Sequence, residues 1–406
     1  MRILILGSRE SVVEKTGAIE RLTYQIATYL VKKGCDVNIF TVGDNCYKRF
    51  TDDNGIEIHV IHPTILKPPS YIYPMLSFSK RANKELFKLI KEGYKFDVIY
   101  SVYYPNLLGF KNLSHTPIVI SDHNPYPWKK EFLYIPNLSL IRKFRWEADC
   151  LIQRQMARIL LRKANIVTCV SKAHKSWILE CIGDRFQNRI EVIYNGVDIN
   201  FFNPHKHDKE LKDKIAPDGE KIIIYAGRKT PHKGFHLLIK ILAELNKSID
   251  VMLMAIGPIS TSFVGEGYDP YINYIYNLIE RYNLNEKVVF TGYIQEKDLP
   301  KYYCIGDIFA YPSFLEAFGL VVLEAMACGL PIVAWDVAPI NEFVRNGRDG
   351  LLVPLGDINK FTECIRYLLS NERLRKQMGR NAGNQAEKFS LENMCKLYLE
   401  VFLKAS

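Results

Sequence analysis

The feature that most constrains this chain is a sustained alternation between short apolar runs and longer segments of helical period. Apolar runs fall at 2–7, 37–42, 56–61, 97–102, 117–121, 166–170 and 190–194, with helix-period segments at 18–33, 80–92 and 171–181 between them. The alternation resumes with runs at 221–226, 251–256, 287–291, 307–311 and 331–335, separated by amphipathic segments at 235–245, 271–282 and 320–328. Runs that are apolar throughout suit strands buried on both faces, and strand–helix alternation builds parallel sheets covered by helices. The expected fold class is therefore α/β, with doubly wound, Rossmann-like domains. At 406 residues the chain exceeds one ordinary core, so two domains are expected. The polar, weakly periodic stretch 201–220, with Asn203-Pro204 and a run of Lys, Asp and His, reads as the link between them. This gives an N-terminal domain over 1–204, a second over 205–385, and a last helix at 386–406 that packs back toward the first. Three consecutive helices are expected from 357 to the end. Domains of this kind bind ligands beyond the carboxyl ends of their strands, so the expected site is a central cleft faced by both.

Composition excludes several classes. The chain is 48% hydrophobic and 24% charged, and no stretch of eighteen apolar residues offers a membrane-spanning helix. The opening MRILILGSRE turns polar too soon for a signal peptide and reads as a first buried strand. Nine cysteines, never spaced C-x-x-C, argue for reduced thiols and against a disulfide frame or zinc site, and place the protein in the cytoplasm. Charge is unevenly divided. Residues 1–204 carry 29 Lys and Arg against 19 Asp and Glu, whereas 205–406 carry 25 of each, so the whole net charge of +10 sits in the first half. Within it, 127–175 holds 11 basic and 3 acidic residues, a surface suited to a phosphate-bearing acceptor, an acidic membrane face or nucleic acid.

Two motifs in the second half carry chemistry. The run 222–226 ends in Gly227-Arg228-Lys229-Thr230-Pro231-His232-Lys233-Gly234, which presents an Arg fork and a Lys point charge at a strand's carboxyl end. Such a loop can clamp a diphosphate; an ordinary solvated strand–helix loop would look the same. It is not a G-x-x-x-x-G-K-[ST] phosphate loop. The second motif, Pro312-Ser313-Phe314-Leu315-Glu316-Ala317-Phe318-Gly319-Leu320, leads into a helix bearing Glu324 and ending at Cys328-Gly329. Phe318, Gly319 and Leu320 fall at the helix N-terminus, where free N–H groups and the dipole favour an anion, and Gly319 allows close backbone approach. Glu316 and Glu324 are not a glycosidase pair. Eight helical residues rise roughly 12 Å, whereas such pairs lie about 5–5.5 or 6.5–9.5 Å apart. Two carboxylates gripping different hydroxyls of one extended ligand fit better. The plainer alternatives are a helix-dipole partner for Glu316 and a solvated or salt-bridged residue for Glu324.

With these pieces in hand the chain resembles the family-four retaining glycosyltransferases, of GT-B fold and known as glycosyl transferases group 1. The resemblance lies in the E-x7-E spacing of Glu316 and Glu324, in Asn195-Gly196-Val197-Asp198, in Gly227-Arg228 with Lys233-Gly234, in Val289-Phe290-Thr291-Gly292-Tyr293, and in Asn346-Gly347-Arg348-Asp349-Gly350. It implies a nucleotide-diphosphate sugar as donor, with Arg228 and Lys233 binding the diphosphate and stabilising it as it leaves. The amides of Phe318, Gly319 and Leu320 would bind the distal phosphate. Glu324 would hold the ribose hydroxyls, Glu316 would contact the transferred sugar, and 290–294, with Gly292 and Tyr293, would flank the base. The catalytic effect would be electrostatic, aimed at charge that develops on the leaving diphosphate. Retention in the family is attributed to front-face attack, so no protein nucleophile is expected. No D-x-D motif occurs, which agrees with chemistry that needs no metal or other cofactor.

The first half resembles the family more loosely, through strand order, Gly17 and His123. His123 follows the run 117–121, at a strand end where family members place a His against the transferred sugar; by itself it reads equally as a satisfied structural histidine. Asn124 stands where the family often has Asp. Gly17, flanked by Thr16 and Ala18, stands where two adjacent glycines are usual near the donor phosphate. Arg154, Arg158 and Arg162 make one basic face of a helix beside Leu151, Ile152, Ile159 and Leu160, so the surface from Trp128 to Lys163 suits an anionic membrane as well as solvent. Peripheral attachment to the inner membrane face would bring the enzyme to a glycan or lipid-linked acceptor in envelope polysaccharide synthesis. A nucleotide-sugar epimerase on a related fold and a non-catalytic sugar-nucleotide binder remain alternatives. A nicotinamide dehydrogenase is disfavoured, because Gly7 is followed by Ser8-Arg9-Glu10 with no G-x-G-x-x-G, and no nucleic-acid motif accompanies the basic charge.

Overall fold

A computed structural model describes residues 1–406 apart from 8–11, 13–16, 44–46, 63–71, 111–115, 124–139 and 260–269; the side chains of 72–74, 140–146 and 149 also lie outside it. The first half runs β1 (Arg2–Leu6), α1 (Ala18–Lys32), β2 (Asp36–Val42), β3 (Lys48–Thr51), β4 (Glu57–Ile61), α2 (Ile72–Lys91), β5 (Val98–Ser101), β6 (Ile118–Asp122), α3 (Leu140–Lys163), β7 (Ile166–Cys169), α4 (Lys172–Ile182) and β8 (Ile190–Val192). Then follow α5 (Lys209–Ile215), β9 (Lys221–Ala226), α6 (Phe235–Leu245), β10 (Val251–Ile256), α7 (Pro270–Arg281), β11 (Val288–Gly292), α8 (Leu299–Cys304) and β12 (Ile308–Tyr311). The chain ends with α9 (Leu320–Ala327), β13 (Ile332–Trp335), α10 (Ile340–Phe343), β14 (Gly350–Val353), α11 (Ile358–Ser370), α12 (Glu372–Ala386) and α13 (Leu391–Ala405). Contacts divide it into two compact units. One takes the described residues up to Asn195 together with Leu391–Ser406, and the other takes Gly196–Ser390.

Among the described residues the first unit builds an eight-stranded sheet, ordered β3-β4-β2-β1-β5-β6-β7-β8. Its pairs are parallel except β3 with β4. Every apolar run read from the sequence forms a strand, and the α/β, doubly wound class expected from the alternation is observed. Two strands had no such run. β3 exposes all four of its residues as an antiparallel edge, and β14 is four residues set among glycines. Helix α13 belongs to this unit and packs along α1, burying Met394, Cys395, Tyr398, Val401 and Phe402. The Tyr398 hydroxyl lies 3.1 Å from Ser121 Oγ, and the Phe402 ring 5.0 Å from that of Tyr100.

The second unit holds a six-stranded parallel sheet, ordered β11-β10-β9-β12-β13-β14. The chain starts at the centre with β9, winds out through β10 and β11, then returns beside β9 with β12 and winds out the other way. Strand order reverses between β9 and β12, and it is beyond the carboxyl ends at such a reversal that doubly wound sheets bind ligands. Buried apolar residues dominate both strands and the helix between them, with seven of the eleven residues of α6 buried. The polar stretch read as a linker is folded into this unit. It forms a 3₁₀ turn at Pro204–Lys206 and then α5; Phe202 is buried with its ring 5.9 Å from that of Tyr303, and the Cys304 thiol donates to the Asn203 carbonyl at 3.2 Å. Among the described residues no helix is long and apolar enough to cross a membrane, and no cluster of His, Cys, Asp and Glu is arranged to hold a metal ion.

Candidate functional site

The second unit's site is built where β9 and β12 end. After β9 the chain passes Gly227 and a 3₁₀ turn at Pro231–Lys233, then enters α6 through Gly234 at φ 70°. Gly234 is demanded twice over. Its left-handed backbone disfavours any side chain, and a Cβ there would stand 2.1 Å from the Pro312 carbonyl oxygen. The two loops are also stitched by hydrogen bonds: the Phe314 N–H donates to the His232 carbonyl at 2.9 Å, and the Trp335 indole N–H donates to the Pro312 carbonyl at 3.0 Å. Lys233 is thereby delivered to Glu316.

Lys233 Nζ makes an ion pair with Glu316 Oε1. The same oxygen accepts from the Tyr311 hydroxyl at 2.6 Å and from Ser313 Oγ at 2.8 Å, while Lys233 Nζ also donates to the Tyr311 hydroxyl at 3.2 Å. A carboxylate only 7% exposed needs such partners, because an unpaired buried charge is costly. Burial and the neighbouring Glu316 charge raise the Tyr311 pKa, which keeps that phenol a donor. The result is a carboxylate and an ammonium held at the switch point in one orientation.

Beyond Glu316 the backbone turns at Gly319, φ 97°, which caps α9; a Cβ there would meet Ile340 Cδ1 at 2.7 Å. Phe318 is buried and stacked on Phe343, centroids 4.8 Å apart, which anchors the turn that presents the amides of Phe318, Gly319 and Leu320. Glu324 lies one turn into α9 and is buried, 3% exposed, accepting from the Tyr303 hydroxyl at 2.9 Å. It is therefore no solvated helix residue. Arg228 is exposed on the loop after β9, its carbonyl accepting from the Tyr225 hydroxyl at 2.8 Å. Gly292, φ 66°, ends β11, and the next residue, Tyr293, is 77% exposed. In the second unit Lys233 and Glu316 meet, with the α9 N-terminus following Glu316 in the chain; Arg228, Gly292 and Tyr293 stand at strand ends or in the loops after them, and Glu324 stands within α9.

Sequence reading missed four residues of this site. Tyr303, Tyr311 and Ser313 hold the two carboxylates; the two tyrosines lie on apolar elements, and Ser313 stood in the second motif with no role of its own. Lys229, present in the loop motif with no role of its own, is fully buried. Its ammonium donates to the carbonyls of Ala255, Ile256 and Gly257 at 3.3, 3.0 and 2.7 Å.

His123 and Gly17 belong to the first unit. His123 follows β6, and its Nδ1 is buried with no hydrogen-bond partner among the described residues. Burial lowers its pKa to about 4, so the ring is neutral near pH 7. The preceding Asp122 and His174 are fully buried, with His174 Nε2 3.4 Å from Asp122 Oδ2. Gly17 caps α1 with an extended backbone, φ −129°, that any residue adopts. Thr16 and Asn124 lie outside the described residues, as do Trp128, Lys129 and Lys130 and the side chains of Arg142, Lys143, Arg145 and Trp146.

The basic face of α3 is partly committed elsewhere. Arg158 Nε donates to the Cys181 carbonyl at 2.8 Å and Arg162 Nη2 to the Ile182 carbonyl at 3.0 Å, capping the end of α4. Beside them Leu151, Ile152 and Ile159 are exposed, at 60%, 46% and 58%, whereas Leu160 turns inward and is buried.

Comparison with known proteins identifies the family. The family model for glycosyl transferases group 1 matches residues 206–385, and that for glycosyltransferase family 4 matches residues 19–201. An uncharacterized glycosyltransferase of Methanocaldococcus jannaschii is 26% identical over 93% of this chain and 92% of its own length. A D-inositol 3-phosphate glycosyltransferase of an Arthrobacter species is 25% identical over 99% of this chain and 94% of its own. Among solved structures, sucrose-phosphate synthase of Thermosynechococcus elongatus superposes with a TM-score of 0.82 at 20% identity, covering all of both chains. Anabaena HepE, in complex with UDP and glucose, superposes at 0.74 and 22% identity, again covering all of both. With one model over each half of the molecule and full-length relatives that are glycosyltransferases, the chain belongs to the group 1 glycosyltransferases of GT-B fold and is a glycosyltransferase.

Proposed function

We propose that the enzyme is a retaining hexosyltransferase that takes its sugar from a nucleotide diphosphate and passes it to a glycan or lipid-linked acceptor in envelope polysaccharide or glycoconjugate synthesis. The observation that carries this reading is the Lys233–Glu316 pair at the β9/β12 switch point, beside the N-terminus of α9. A diphosphate needs cations and oriented N–H groups, and a sugar needs a fixed carboxylate; the second unit offers all of these at adjacent strand ends. In this reading Arg228 and Lys233 bind the diphosphate and stabilise its charge as the glycosidic bond breaks. Phe318, Gly319 and Leu320 receive the distal phosphate through their amides, Glu324 takes the ribose, and Gly292 and Tyr293 border the base. Glu316 and His123 contact the transferred sugar, and Gly17 lies near the donor phosphate. Retention follows from front-face attack, with the donor phosphate assisting deprotonation of the acceptor. Side chains and helix amides supply the positive charge, so the reaction needs no metal ion. Residues 205–385 form the donor side, 1–204 the acceptor side, and 386–406 the returning helix. HepE, with UDP and glucose bound, lends support to a nucleotide-sugar donor.

The test is a thermal-shift panel of UDP, GDP, ADP and their sugars, run in EDTA. One nucleotide family should raise the melting temperature, through preferential binding to the folded state. A flat response from folded protein would overturn the donor-site reading. Nucleotide release that requires an acceptor then separates transfer from epimerisation and from simple binding. We further propose that the enzyme works in the cytoplasm at the membrane's inner face, held there by α3. The exposed Leu151, Ile152 and Ile159 beside Lys163 favour this, in a half of the chain that carries all of its net positive charge.

A further inference from the structure

Lys229 is a buried cation that the proposed chemistry does not use. It neighbours Arg228, yet it points away from solvent and is 0% exposed. An ammonium has three N–H groups, and here three successive carbonyls at the end of β10 accept them: Ala255, Ile256 and Gly257. Its Nζ also lies 5.9 Å from the centre of the Tyr225 ring. Burying a lysine costs free energy, and burial lowers its pKa to about 7. An apolar side chain would fill this space without that cost, so the cation calls for a local return.

Its surroundings supply one. The Gly227 N–H donates to the Ile256 carbonyl at 3.1 Å, and the Tyr225 hydroxyl donates to the Arg228 carbonyl at 2.8 Å. Residues 227, 228 and 229 are therefore each held, and Arg228 is the one whose side chain is left on the surface. Gly257 approaches so closely that a Cβ on it would stand 3.2 Å from the Gly227 carbonyl oxygen. Gly257 in turn makes an isolated antiparallel bridge with Gly292, next to Tyr293. Lys229 thus knots the ends of β9 and β10 directly, and that of β11 through one bridge.

We infer that Lys229 is a positioning residue for the donor: its ammonium ties the carboxyl end of β10 to the loop after β9 and so fixes the backbone from which Arg228 reaches a nucleotide diphosphate. This builds on the donor-site reading above and adds a residue to it that touches no ligand.

The test is a double-mutant cycle read by calorimetric titration with whichever of UDP, GDP or ADP raises the wild-type melting temperature most. Lys229→Met, of similar length but without hydrogen bonds, should stay folded by circular dichroism and weaken binding about tenfold. Arg228→Ala should weaken it comparably. The double variant should bind within about twofold of Arg228→Ala alone, because Lys229 acts through Arg228. Lys229→Gln, whose amide still donates twice, should recover part of the loss. Wild-type affinity in Lys229→Met, or losses that multiply in the double variant, would overturn the inference while leaving the donor site standing. Should Lys229→Met not fold, the same cycle run with Lys229→Gln gives the same comparison. Folded wild type that binds none of the three nucleotides would sink the donor-site reading, and this inference with it.

Discussion

At the residue scale the site turns on Glu316, whose Oε1 collects Lys233, Tyr311 and Ser313. Glu316→Gln keeps the shape and removes the charge, and Lys233→Ala removes its partner. Each should leave the far-ultraviolet circular dichroism unchanged and lower transfer on the order of a hundredfold, by the scale seen when one preorganised group is lost. Unfolding in either variant would make that residue structural. The buried histidines make a separate prediction. His59 is fully buried between the Tyr47 hydroxyl, 2.9 Å from Nδ1, and Asn38 Oδ1, 3.4 Å from Nε2, and burial lowers its pKa from 6.5 to about 4. The unfolded state then binds more protons than the folded state between those two values. Stability is complete above pH 6.5 and falls as the pH drops toward 4, by on the order of 2–3 kcal/mol for this group. Denaturant melts at pH 7 and pH 5 should show a smaller difference for His59→Gln than for the wild type. An equal difference would mean that other groups carry the acid sensitivity.

At the element scale the decisive pieces are the two loops that meet at Gly234 and Pro312. Gly234→Ala would force a Cβ toward a carbonyl oxygen 2.1 Å away, in a left-handed backbone. The expected cost is on the order of 3 kcal/mol, from backbone strain and overpacking together. It should appear as a lower melting temperature and weaker nucleotide binding, since the same contact delivers Lys233 to Glu316. Unchanged stability would show that the loops can separate freely. Glycine punctuation made these loops legible in the sequence: Gly227, Gly234 and Gly319 all marked strand–helix turns. The partners that hold the carboxylates were not legible. A tyrosine on a buried strand looks the same whether its hydroxyl meets a carboxylate or a backbone carbonyl.

At the scale of the whole molecule, the charge division of the sequence meets an exposed apolar strip on α3. If that surface binds membrane, the enzyme should sediment with vesicles containing anionic lipid at low salt and not with neutral ones. Leu151→Asp combined with Ile159→Asp should abolish the association. Equal sedimentation with both lipids, or with neither, removes the membrane proposal. Arg158 and Arg162 keep their charge at such a surface, but their guanidinium groups are held in place, because each donates to the end of α4.

The sequence by itself determined the two-domain α/β fold and the identity of the motif residues. Burial on both faces writes parallel strands as continuous apolar runs, and loops with special backbone write themselves in glycine. Two things belonged to tertiary structure alone. One is the set of neighbours around each charge: Lys233 and Glu316 stand 83 positions apart, and only the winding of β9 beside β12 joins them. The other is which lysine meets the buried carboxylate. Lys229 and Lys233 share one short loop, yet one is buried against three carbonyls and the other meets a carboxylate at the switch point. Side-chain direction in a loop follows from what packs beneath it, and for this loop that is a strand end 26–28 residues away along the chain.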